Sequence, residues 1–167
     1  MRAIYGLVAL AALPVLAACG STTTFPEPAP CPAPAAASPT ANARQAANRY
    51  FASVTSAVNG LTSQREALRS QYPGEKFSRQ SQFRVDFAAY ADSTVCGAQN
   101  LKDLRPPAAT IESFDLNLDT ALQELIDHTE AGRTAVKARN VSDYRTWYRG
   151  VDLKLDAVKA AAAQAGR

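Results

Sequence analysis

The sequence predicts an all-α protein, an antiparallel up-down-up-down four-helix bundle behind a Pro-rich tether. Three observations predict it. Of 167 residues, 34 are Ala while only 3 are Ile and 8 are Gly, which disfavours a β-sandwich or barrel. From residue 40 onward, apolar side chains recur every three or four positions in four stretches, the period of an amphipathic helix. Breaks rich in Pro, Gly or Asn separate those stretches, and short connections set neighbouring helices antiparallel. The length suits one domain, and an apolar share of 47% is enough for a core.

The first 18 residues have the parts of an export signal. Arg2 is followed by an apolar run from Ala3 to Leu13, and small residues precede Cys19. The run is shorter than the roughly 20 residues of a permanent membrane helix. The tetrad Leu16-Ala17-Ala18-Cys19 resembles the lipobox of bacterial lipoproteins. That resemblance implies cleavage before Cys19, lipidation of its thiol and acylation of the new amino end. It covers only this N-terminal region, and Cys19 is the one residue to which it assigns a role. It places the protein in the cell envelope, anchored through lipid and facing the periplasm or exterior. Gly20 and Ser21 follow the cysteine; an Asp there would imply retention at the inner membrane, so the outer membrane is expected in an organism that has one.

Residues 19–39 form the expected tether. Six of the ten prolines lie here, from Pro26 to Pro39, with no hydrophobic period. Such a stretch favours extended polyproline II, and at about 3.1 Å per residue it would hold the domain up to roughly 60 Å from the lipid.

The bundle domain is expected over residues 40–167. Thr40 is the expected cap of a first helix carrying Ala47, Tyr50, Val54, Val58, Leu61 and Leu68, with Asn59-Gly60 as a loosening point and Tyr72-Pro73-Gly74 as its end. A second helix carries Phe83, Phe87, Tyr90, Thr94, Ala98 and Leu101, and Pro106-Pro107 opens the next segment. The third carries Ile111, Phe114, Leu118, Ala121 or Leu122, Leu125 and Thr129, with Asn140 as a left-handed stop. Ser142 is the expected cap of a fourth, with Tyr144, Trp147 or Tyr148, Val151, Leu155 and Val158 along its stripe.

No catalytic residue, metal site or cofactor is expected. There is one His, His128, and no Gly-rich phosphate loop, nucleophile elbow or C-x-x-C pair. His128 is expected in solvent, with Glu124 one turn before it. Glu112, Asp115 and Asp119 read as a solvated helical face rather than a chelate. The aromatic residues read as core first, with a cleft for a small apolar ligand between helices as the alternative.

Charge is uneven. Residues 61–86 and 130–149 together carry a net +5, and the remainder of the mature chain carries −3. In an up-down bundle both stretches fall at the end with the first and third turns, expected to point away from the tether. Arg133, Lys137, Arg139, Arg145 and Arg149 form the candidate tip for an anionic partner, an envelope polymer or an acidic protein face, without specific nucleic-acid recognition. Cys31 and Cys96 are the two thiols left after lipidation. In an oxidising compartment they can form one intramolecular disulfide, which would pin the tether to the bundle. The function expected is that of a membrane-anchored binding or structural module, not an enzyme; a carrier of a small apolar ligand is the alternative.

Overall fold

A computed structural model describes residues 24–34, 42–74, 79–106 and 115–165. It contains four helices: α1 (Ala43–Gln71), α2 (Ser81–Asp103), α3 (Asp115–Lys137) and α4 (Val141–Ala165). Each packs on its sequence neighbours, and α1 closes the ring against α4. The fold is all-α, a four-helix bundle. Among the described residues no helix is long and apolar enough to cross a membrane.

The apolar stripes become the core. Val54, Val58, Phe83, Phe87, Ala98, Leu118, Leu122, Leu125, Val151, Leu155 and Val158 are all essentially excluded from solvent. Burying a side chain of that size stabilises by roughly 1.5–3 kcal/mol, far beyond what helix propensity contributes. Asn59-Gly60 does not loosen α1, which runs through it unbroken. Ile111, Glu112 and Phe114 lie outside the described residues.

The helix ends differ from expectation at three places. Asn42 caps α1, its side-chain oxygen accepting from the Arg44 amide at 2.9 Å; Thr40 lies outside the described residues. Arg139, not Asn140, holds the left-handed position after α3, with φ 57°. The Arg139 amide bonds the Val136 carbonyl and the Asn140 amide bonds that of Ala135, the paired closure that satisfies a helix's last carbonyls. Asn140 then replaces Ser142 as the cap of α4. Its Oδ1 accepts from the amides of Ser142 and Asp143, and its Nδ2 donates to the Asp143 carboxylate. One asparagine therefore ends one helix and starts the next.

The largest aromatic cluster of the core lies toward the end carrying the α1–α2 and α3–α4 turns, while Tyr50 and Phe51 pack toward the other. Phe87 meets Trp147 edge-on at 4.7 Å, Tyr144 stacks on Trp147 at 5.6 Å, and Phe83 bridges Tyr72 and Tyr144. These are the offset and edge-to-face geometries that ring quadrupoles favour. Two glycines let α3 and α4 interlock. A methyl group on Gly132 would sit 2.6 Å from Trp147 Cγ, and one on Gly150 would sit 2.7 Å from His128 Cε1. Each helix thus receives a ring from the other.

Gly132→Ala should overpack this interlock and destabilise the fold by about 1–3 kcal/mol. Gly60→Ala, where the added methyl meets nothing within 4 Å inside a helix, should stabilise by roughly 0.5–1 kcal/mol. Urea midpoints of the two variants should move in opposite directions; a Gly132→Ala midpoint equal to that of the parent would contradict the interlock.

Candidate functional site

The structure does not give residues 24–34 the stand-off geometry expected of a spacer. They lie along α2 on its α3 side. Phe25 is buried, and the Arg84 guanidinium lies 5.6 Å from its ring. Glu27 pairs with Lys137 at 3.1 Å. The Ala29 amide donates to Asp92 at 3.3 Å. Cys31 and Cys96 are joined in a disulfide with 5.1 Å between their Cα atoms. Cys19 lies outside the described residues.

The register is regular. Phe25, Ala29 and Cys31 face Arg84, Asp92 and Cys96, so each step along the tether spans two along the helix. A proline-rich extended chain rises about 3.1 Å per residue and an α-helix 1.5 Å. The segment therefore runs parallel to α2, and it begins at the bundle end that carries the α1–α2 and α3–α4 turns. This corrects the expected topology: the basic end is not remote from the tether but is where the tether starts.

The candidate tip changes accordingly. Arg133 is not on the surface. Its side chain is 7% exposed and pairs with Asp92 at 2.6 Å and with Glu130 at 3.2 Å. Because Asp92 also accepts from the tether, Arg133 braces the tether's seat. Lys137 remains 57% exposed beside Glu27. Arg139, Arg145 and Arg149 are exposed, and so is Arg79 just before α2. Arg84 belongs to the same end but is buried; burial first, and then the charge of Arg139, lower its proton affinity. Among the described residues, the acidic groups of this end include Glu27, Asp86, Glu130 and Asp143. Asp86 is occupied, accepting from Gln82 and from the Tyr72 hydroxyl in a short hydrogen bond. That bond, then burial, push the Tyr72 phenol up to about 12.

A third interior cation lies on the α1–α4 side. Arg65, 2% exposed, lies 4.7 Å from the Tyr148 ring and 5.3 Å from the Trp147 ring, and it donates to the Tyr148 carbonyl. Its Nε is 3.6 Å from Asp152. Charge alone groups Arg65 with the cations of residues 61–86, but its place four residues after Leu61 and three before Leu68 puts it on the buried stripe.

His128 is not simply solvated. It is half-buried, with Nε2 3.0 Å from the Trp147 carbonyl, so that nitrogen carries the proton and donates. Glu124 pairs instead with Lys154 at 2.8 Å. Asp119 pairs with Lys102 and Arg105. Among the described residues no three His, Cys, Asp or Glu side chains gather as metal ligands. Trp147, Tyr144, Phe83 and Phe87 fill the space between the helices. A groove of about 370 Å³ lined by His128, Ala135 and Trp147 opens at the α3–α4 surface.

Two outcomes follow. Cys31→Ser with Cys96→Ser should destabilise the domain by about 2–4 kcal/mol, because the bond closes a loop spanning 65 positions. Denaturant midpoints with and without reductant should converge in this variant; equal midpoints in the parent would exclude the bond. The Tyr72 phenol, ordinarily near 10.0, keeps its proton in the fold until about 12. Its contribution is complete below pH 10 and is lost as pH rises toward 12, because the unfolded chain gives up that proton first. Tyr72→Phe should flatten this loss between pH 10 and 11.5 in urea titrations; an unchanged slope would exclude it.

Comparison with protein-family models, with curated proteins and with solved structures finds no match for this chain.

Proposed function

We propose that the chain is an exported lipoprotein, held by lipid on Cys19 in the cell envelope, whose bundle works as a binding or structural module rather than an enzyme. The observation that carries this reading is the Cys31–Cys96 disulfide. Such a bond persists in oxidising compartments and is rare in the cytosol. It agrees with an export signal that ends in a lipobox. Two or three acyl chains would hold the protein firmly, where one would not. The module reading rests on the filled aromatic core and on the concentration of cations at one end. A carrier of small apolar ligands would need space where Trp147 and its neighbours pack.

Cys19→Ala should abolish incorporation of a fatty-acid analogue and release the protein from sedimented membranes. Equal labelling of parent and variant would overturn the anchor.

A further inference from the structure

The seated tether fixes which end of the bundle can approach the lipid. Thr24 is the first described residue, and Phe25 after it is locked beside Arg84. Cys19 lies five residues before Thr24, so its Cα can stand no more than about 18 Å away even in a fully extended chain. The 29 residues of α1 make the bundle about 43 Å long. The opposite end, with Asp103, Arg105 and the start of α1, is therefore out of reach of the anchor while the tether stays seated.

The end within reach is the basic one. Arg79, Lys137, Arg139 and Arg145 are exposed there. Of the acidic groups beside them, Glu27 pairs with Lys137, which stays 57% exposed, Asp86 is held by Tyr72 and Gln82, and Asp143 is held by the Asn140 cap. Arg139 occupies a left-handed position where Gly is the unstrained residue, so a cation stands at the apex of the α3–α4 turn against backbone preference.

We propose that the bundle stands on this end against an anionic phospholipid surface, with Arg79, Lys137, Arg139 and Arg145 meeting the headgroups. The proposal rests on the lipoprotein reading for the anchor and on the seated tether for the orientation. The lipid chains supply residence at the membrane, and the cations select the orientation and the lipid. The anionic partner of the basic end is then the membrane the protein is tethered to, not a polymer beyond it.

The test uses the mature protein, purified from membranes and reconstituted into phosphatidylcholine vesicles with or without phosphatidylglycerol. Acylation by a membrane-impermeant amine reagent is read at Lys137 and at Lys154 by mass spectrometry. Acylation of Lys137 should fall about fivefold in the phosphatidylglycerol vesicles, the effect of one cation–surface contact, while that of Lys154 stays constant. The protection should fade as salt rises past about 0.15 M, where the screening length is near 8 Å. The triple variant Arg79→Glu, Arg139→Glu, Arg145→Glu, checked for its helical circular dichroism, should lose the protection. Single Arg139→Gly, which relaxes the backbone, should weaken it and keep the fold even where the triple variant does not. Equal reactivity of Lys137 in both vesicles would overturn the proposal. So would protection of Lys154 instead, or protection of Lys137 only on adding a soluble acidic polymer. The mass of the N-terminal peptide reads the anchor separately. A lipidated Cys19 with unprotected Lys137 rejects the surface and keeps the lipoprotein, and an unlipidated chain with protected Lys137 does the reverse.

Discussion

An extended chain advances about twice as far per residue as a helix, and the placement of the tether depends on that ratio. Three points fix the match: an aromatic ring over Arg84, an amide on Asp92 and the sulfur bridge to Cys96. With two helix residues per tether residue, all three are satisfied without a bulge in either partner. The tether's polar contacts fall on groups that the bundle already holds. Asp92 is paired with Arg133 before it serves Ala29, and Lys137 closes α3 before it meets Glu27.

The buried arginines complete this arrangement. Arg65, Arg84 and Arg133 are all buried, a condition that costs stability unless charge and ring faces compensate. Arg133 has two carboxylates, Arg65 has two rings and Asp152, and Arg84 has the Phe25 ring. Each of the three joins elements distant in sequence: α2 with α3, α1 with α4, and the tether with α2. Cationic side chains with long apolar stems serve this purpose, because the stem packs as core while the head reaches a partner.

Most of the bundle was legible in the sequence, since burial imposes the 3.6 period directly: the positions assigned to the stripes and described in the structure are all buried or, as with Ala47 and Tyr148, half-buried. The caps were less legible. Asn, Ser and Thr all bond a free amide well, so Asn140 and Ser142 compete on equal chemistry. The left-handed residue fell on Arg139 because the closing bonds need a fixed count from Ala135, whatever side chain stands there. The seat of the tether was not legible from composition. Proline-rich sequence reads alike whether it is solvated or laid on a surface, and one aromatic residue, Phe25, and one thiol carried the signal. A free spacer would put the basic end far from the anchor, whereas the tether seated along α2 begins at that end. The interior cations escaped for a related reason: charge was counted as surface, although Arg65, Arg84 and Arg133 sit at core spacing.

The bridge between Cys31 and Cys96 also sets a load path. Tension applied upstream of Phe25 passes through the short tether to Cys31 and crosses the covalent bond into the body of α2. It never reaches the connection into α1. The first helix lies inside the covalent ring and is thus bypassed. Pulling acts along the axis of α2 as shear, which must break many contacts together, rather than peeling the bundle open from its first turn.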